Sequence, residues 1–292
     1  MPTFPRPRTT GSRLVAVVAG LVLGLAAGGC SASDRVRSVT TTTTAPASAP
    51  AAPPVTRLGV CMDWSGSVDD DARTRMREDL AAFVERWVPT EVRDPAGQGG
   101  VAGLDLMVRR VLGDGVGAFD VSGEVVAGTI PGIPAVDARP EADDVAAGDA
   151  HRRQQRAASE AREAAVAAAS DLAGQVRETD MTASGSNIVG CVESIIRAHP
   201  GAPVLLVTDL AHRQGADYVA PKLSGLVDVT DVPILAAVAC DEPESCANRQ
   251  GLWTTLIEGA GGSITFIDPT DLSDQLPGFV GGAAVSPADV TP

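Results

Sequence analysis

Three short segments carry oxygen donors in a pattern suited to holding a hard cation. Asp63-Trp64-Ser65-Gly66-Ser67 follows a short apolar run from Leu58 to Met62. Asp209 closes a second apolar run, Val204-Leu205-Leu206-Val207-Thr208. Between them in the chain, the polar loop Ser184-Gly185-Ser186-Asn187 leads into a helical pattern. Carboxylate, hydroxyl and water oxygens favour Mg2+, Ca2+ or Mn2+ over Zn2+, and no His or Cys stands among these residues. The carboxylates of Asp63 and Asp209 with the hydroxyls of Ser65, Ser67 and Ser186 leave a coordination position for solvent or a ligand's oxygen. So few charges on the protein side keep the metal electrophilic.

Such residues act together only if the chain brings them to one place, and the surrounding pattern predicts that it does. Leu58 to Met62 reads as a strand, and Asp69, Asp70 and Asp71 open a helix whose apolar stripe is Met76, Leu80, Phe83, Val84 and Trp87. Leu104 to Leu112 and Gly123 to Ile130 read as an antiparallel pair of strands. Glu141 to Glu178 reads as one long helix, or two broken near Gly148, with Ala161, Ala165, Ala168, Leu172 and Val176 on one face. A surface helix with solvated charges explains it more simply than an Arg-bearing arm for a partner. A short helix follows from Ile188 to about Ala198, then a strand from Pro203 to Thr208 and another from Val232 to Ala239. Trp253, Leu256 and Ile257 mark a helix stopped by Gly259 to Gly262; Ser263 to Ile267 is the last strand, and Leu272 to Phe279 a final helix. The expected fold is α/β and doubly wound, with a mostly parallel central sheet, one antiparallel edge strand and helices on both faces. Ligands of such sheets gather at the carboxyl ends of the strands, where Asp63, the Ser186 loop and Asp209 would converge.

The Asp-x-Ser-x-Ser of Asp63, Ser65 and Ser67, the Ser-Asn helix entry at Ser186 and the Val-Thr-Asp ending at Asp209 resemble the von Willebrand factor type A (vWA) family and its metal-ion-dependent adhesion site. The order of elements agrees from about Arg57 to Phe279. By that resemblance Ser65 and Ser67 ligate directly, Asp63 and Asp209 directly or through water, and Ser186 takes the place of the family's Thr. Thr182 and Ser184 stay open as alternatives for that ligand. Leu210 departs from the Gly that often follows the second Asp. The resemblance implies Mg2+ as the ion, with Mn2+ or Ca2+ as alternatives, and a protein partner whose acidic side chain completes the metal shell. Topology places Trp64, His212, Arg213 and Gln214 on the rim around it, beside the loop of Asp241, Glu242 and Glu244. For Trp64 an exposed anchor and a packing role are equally open.

Bulk properties fit this reading. Of 292 residues, 44% are hydrophobic and only 3% aromatic, and mean hydropathy is +0.10, so aliphatic side chains must fill the core. Net charge is −14. Arg6, Arg8 and Arg13 lie in an acid-free leader, and the rest of the chain is more acidic still. A chain this acidic is repelled by nucleic acid. The leader has a basic start, an apolar run from Leu14 to Ala27 that is short for a membrane span, and small residues before Cys30. Ala27-Gly28-Gly29-Cys30 resembles the lipobox of bacterial lipoproteins, although position 27 is more often Leu there. The expectation is a signal peptide over 1–29, then lipidated Cys30 and a flexible Ser/Thr/Pro/Ala tether over 30–56. The vWA-like domain follows over 57–280, and a flexible tail over 281–292. Lipidation would hold the protein on the extracytoplasmic face of the cell membrane; without it the protein would be secreted. Cys61, Cys191, Cys240 and Cys246 permit two disulfides. Cys240 with Cys246 is the local pairing, and Cys61 and Cys191 then pair or remain buried thiols.

Other classes fit less well. The histidines are His151, His199 and His212, no Gly-x-Ser-x-Gly elbow occurs, and only His212 could approach Ser65 or Ser186 as the base of a secreted hydrolase. The expectation is a binding module rather than an enzyme, with a metal-independent vWA scaffold as the alternative.

Overall fold

A computed structural model describes residues 52–63, 68–88, 100–111, 124–141, 144–179, 186–214, 217–240 and 242–282. The leader, Cys30 and the tether as far as residue 51 lie outside these residues, as do the last ten residues of the tail.

The elements are β1 (Val55–Met62), α1 (Asp70–Arg86), β2 (Gly103–Arg110), β3 (Glu124–Ile130), α2 (Val145–Glu178), α3 (Ile188–Ala198), β4 (Val204–Thr208), β5 (Arg213–Gln214), β6 (Asp217–Tyr218), β7 (Pro233–Val238), α4 (Pro243–Glu258), β8 (Ser263–Ile267) and α5 (Leu272–Gly282). Six strands form one sheet in the order β3-β2-β1-β4-β7-β8, and β5 pairs with β6 as a two-residue ribbon. Every pairing in the large sheet is parallel except β2 with β3 at the edge. This is the doubly wound α/β sheet expected. Among the described residues no helix is long and apolar enough to cross a membrane.

Alternation along the strands sends side chains into two separate cores. Leu58, Val60 and Met62 of β1, Leu106 of β2 and Leu205 and Val207 of β4 point to one face, packed with Met76, Leu80 and Val84 of α1, Leu172 and Val176 of α2 and Leu276 of α5. Cys61, Met107, Leu206 and Ile234 point to the other, against Val192 and Ile195 of α3 and Trp253 and Ile257 of α4. Strands buried on both faces need the near-continuous apolar runs seen in the sequence. The connections β1–α1–β2 and β7–α4–β8 travel in opposite lateral directions and use opposite faces, as crossovers of one hand require.

Helix starts follow local chemistry. The Asp69 carboxylate accepts from Ala72 N–H at 3.0 Å, Asp144 from Ala147 at 2.9 Å and Asn187 from Gly190 at 3.0 Å, each satisfying an orphan donor of a first turn. Gly59 lets β1 approach α3: a Cβ there would sit 2.1 Å from Ile195 Cγ2.

Two boundaries differ from the sequence reading, and the long helix settles as one. Val55 and Thr56, assigned to the tether, already pair with Gly103 and Leu104 in β1. The helix α2 runs unbroken through Gly148, because one glycine costs only about 1 kcal/mol against the remaining helical bonds. Its buried stripe is Ala158, Ala165, Ala169, Leu172, Ala173 and Val176, so Ala161 and Ala168 lie at its margins. The helix α5 continues to Gly282, into the segment expected to be tail.

Candidate functional site

The strand order places the site. From β1 the chain moves outward to β2 and β3 on one side, while β4, β7 and β8 extend the sheet on the other. The reversal between β1 and β4 leaves a crevice at their carboxyl ends, where doubly wound sheets take ligands. Asp63 follows β1 and Asp209 follows β4, so both stand at this reversal. The parallel ladder continues one residue past β1, Asp63 N–H donating to the Val207 carbonyl at 2.8 Å, which sets Asp63 beside Thr208.

Asp63 is fully buried. Its Oδ1 accepts from Ser186 Oγ at 3.5 Å and its Oδ2 from Thr208 Oγ1 at 3.0 Å. Burying a carboxylate is costly unless donors surround it, and these two hydroxyls come from a different helix entry and a different strand. Ser186 stands one residue before Asn187, the cap of α3, so the cap that starts the helix also holds the hydroxyl in place. Thr208 Oγ1 in turn accepts from Leu210 N–H at 2.9 Å. Asp209 is also buried; its Oδ1 accepts from Ala211 N–H at 2.9 Å. Arg249, on α4, brings Nη1 to 3.3 Å from Asp209 Oδ2 and donates to the Asp209 main-chain carbonyl at 3.0 Å.

The turn after Asp209 is backbone-strained. Leu210 has φ +62°, a left-handed conformation that costs a non-glycine residue about 1–2 kcal/mol. Its fully buried side chain offsets that cost, and its carbonyl accepts from Trp253 Nε1 at 3.3 Å and from His212 N–H at 3.0 Å. Leu210, where the resemblance leads one to expect glycine, therefore holds a left-handed conformation by packing.

Two disulfides bind the segments that build the site. Cys61, two residues before Asp63, is bonded to Cys191 of α3, with Cα atoms 6.0 Å apart. Cys240 follows β7 and is bonded to Cys246 of α4, with Cα atoms 5.7 Å apart. Both pairings left open by the sequence are therefore formed.

Of the ligands read from sequence, Asp63 and Ser186 are in contact, and Asp209 ends the strand next to Asp63. Ser65, Ser67 and Trp64 lie outside the described residues, as do Thr182, Ser184 and Asp241. His212 is not an exposed rim residue: it is 3% exposed. Its imidazole donates to the main-chain carbonyl of Ser186, and burial pushes its pKa below the ordinary value. It therefore braces the loop from below instead of facing a partner. The Ser186 hydroxyl is turned to Asp63, so His212 and Ser186 do not form a base–nucleophile pair. The backbone of Arg213 and Gln214 forms β5, paired with β6.

Thr208 and Arg249 were missed. Thr208 was visible as the penultimate residue of Val-Thr-Asp, yet only the register with β1 shows that it meets Asp63. Arg249 lies three residues after Cys246 and four before Trp253, one helical face by spacing, but nothing local signals its reach to Asp209.

Asp63, Ser186 and Thr208 bring one carboxylate and two hydroxyls together, and the Asp209 carboxylate, next in the chain after Thr208, is bonded to Ala211 N–H and Arg249. Among the described residues no group of three or more His, Cys, Asp or Glu side chains could hold a metal. This donor set fits a hard, oxygen-preferring cation and not a thiolate or imidazole site.

No family model matches the chain, and no curated protein matches it. Among solved structures it is similar to proximal thread matrix protein 1 from the mussel byssus, a structure with a zinc-occupied MIDAS motif. Identity is 11% and the TM-score 0.35, covering 80% of this chain and 46% of that one. It is also similar to the human COPII-coat protein Sec24c, with 12% identity and a TM-score of 0.34, covering 78% and 32%. The chain spans less than half the length of either. At this distance the site stands on its own geometry.

Proposed function

We propose that this chain is a vWA-type protein-binding module, lipid-anchored through Cys30 on the extracytoplasmic face of the cell membrane, that captures a partner through a divalent cation. The observation that supports this most is the meeting of Asp63, Ser186 and Thr208, from three distant segments, beside Asp209 at the reversal point of the sheet. Asp63, Asp209, Ser186 and Thr208 would hold the ion, with Ser65 and Ser67 supplied by the Asp-x-Ser-x-Ser segment. The bound ion would supply an electrophilic position that accepts a carboxylate oxygen from a Glu or Asp of the partner. The protein's own part is to orient the donors: the α3 cap positions Ser186, the β1–β4 ladder positions Thr208, and the turn at Leu210 holds Asp209 through the Ala211 N–H. The ion is Mg2+ in this reading, with Mn2+ or Ca2+ as alternatives, and the module is not an enzyme.

A crosslinking pull-down from membranes tests the reading, with and without EDTA, comparing wild type with Asp63→Ala. The reading expects a partner retained only by metal-loaded wild type. A partner retained equally in every sample would overturn it.

One observation favours a second reading, a scaffold that needs no metal. The cluster satisfies itself: both Asp63 oxygens accept hydroxyls, and both Asp209 oxygens have partners in Ala211 and Arg249. Unchanged melting temperature in Mg2+, Mn2+ and Ca2+ would support the scaffold.

A further inference from the structure

Arg249 meets Asp209 where the second carboxylate of the proposed metal site would turn toward an ion. Asp209 Oδ1 is committed to Ala211 N–H, which leaves Oδ2 as the oxygen able to change partner. That oxygen faces Arg249 Nη1 at 3.3 Å, and the same nitrogen donates to the Asp209 carbonyl at 3.0 Å. The Asp209 side chain is 4% exposed and the Arg249 side chain 24%, so the pair spans the boundary between core and solvent.

We infer that Arg249 is a tethered cation that competes with the divalent ion for Asp209. The inference rests on the metal-binding reading above and adds a control element to the same site. A divalent ion at Asp209 Oδ2 would lie within a few ångströms of the positively charged Arg249 guanidinium. At so little exposure the repulsion between the two is weakly screened. Metal and guanidinium therefore occupy the carboxylate in turn.

The fold decides how the exchange happens. The Cys240–Cys246 bond ties the first turn of α4 to the end of β7, three residues before Arg249. Trp253, four residues after it, is fully buried and donates to the Leu210 carbonyl at 3.3 Å. The helix is thus held on both sides of Arg249, and exchange requires the side chain to swing toward solvent while α4 stays in place. Without metal the same contact neutralises Asp209, which keeps a buried carboxylate from standing uncompensated next to Asp63.

The opposite role is an orienting one, in which Arg249 aims Asp209 at the ion and improves binding. The two roles predict opposite signs. Titration calorimetry of Mn2+ into the full chain separates them, using wild type, Arg249→Gln, Arg249→Ala and Asp63→Ala. Competition predicts that both Arg249 variants bind Mn2+ about tenfold more tightly than wild type. Gln removes the charge but keeps a polar side chain, so agreement between the two variants separates loss of charge from loss of side-chain bulk. In wild type, the Arg249 Nε–Hε resonance should shift on saturation with Mg2+. If wild type binds and Asp63→Ala does not, while the Arg249 variants bind equally or more weakly, the competition is overturned and the metal reading stands. If neither wild type nor the Arg249 variants take up metal, both fail together.

Discussion

The two faces of the sheet are built to different standards. The face under α1, α2 and α5 is packed mostly with aliphatic side chains, with Phe83 and Trp87 edge to face at the end of α1. Its helices are joined outside by Arg177, which bonds Glu78 at 3.0 Å and Glu85 at 2.6 Å in partly exposed pairs. The face under α3 and α4 holds both disulfides, the Trp253 bond to Leu210, the buried His212 brace and a buried Glu193 that accepts from Ser224 N–H. Each of the two disulfides has one cysteine on or just after a strand of the site region and the other on a helix of this second face. One face supplies stability that many residues could provide; the other fixes where Asp63, Ser186 and Asp209 stand.

That contrast is sharpest in a pair of truncations. Trp253→Ala on the site-bearing face should cost about 3–5 kcal/mol in urea unfolding and also abolish divalent-metal binding, because Leu210 loses the donor that holds its strained turn. Leu172→Ala on the other face should cost about 2–5 kcal/mol and leave the metal affinity of the folded protein unchanged. Equal effects of the two on metal binding would erase the distinction.

Next in size is the Cys61–Cys191 bond, which closes a separation of 130 residues. The double variant Cys61→Ala/Cys191→Ala should lose about 2–4 kcal/mol by denaturant titration and weaken metal uptake, since β1 and α3 present Asp63 and Ser186. A loss of stability with full metal affinity would mean that the staple serves the fold alone.

The smallest effect is a pH dependence from His212. Burial holds its pKa below the ordinary 6.5, so the unfolded chain takes up a proton that the folded chain resists. Stability from this group is present above about pH 6.5 and falls as pH drops below it, by no more than about 1.4 kcal/mol per pH unit. His212→Gln should flatten that slope in urea melts between pH 7.5 and 5.5. A slope unchanged by the substitution would assign the acid sensitivity to other groups.

Much of the scaffold was legible because the central strands β4 and β7 are near-continuous apolar runs stopped by polar residues. The span of β8, Ser263–Ile267, and of α3, Ile188–Ala198, could be read directly. Val55 and Thr56 were hidden by the Pro, Ala and Thr bias of the segment before them, though both are β-branched. The β5–β6 ribbon has two residues per strand, too few for any periodicity to register. In the site, Asp63, Ser186 and Asp209 could be singled out because each ends or begins an element. Thr208 and Arg249 could not, since their roles depend on strand register and on the rotation of a helix. His212 misled because proximity to the rim was read from chain order, whereas the left-handed turn at Leu210 folds it inward.

The most direct test of the account is where a divalent ion sits. Crystals of the protein soaked in Mn2+ should show an anomalous peak between Asp63 and Asp209. It should lie about 2.0–2.2 Å from oxygens drawn from those carboxylates and the nearby Ser or Thr hydroxyls. It should be absent in Asp63→Ala. No peak at saturating Mn2+, or one away from the carboxyl ends of β1 and β4, would contradict it.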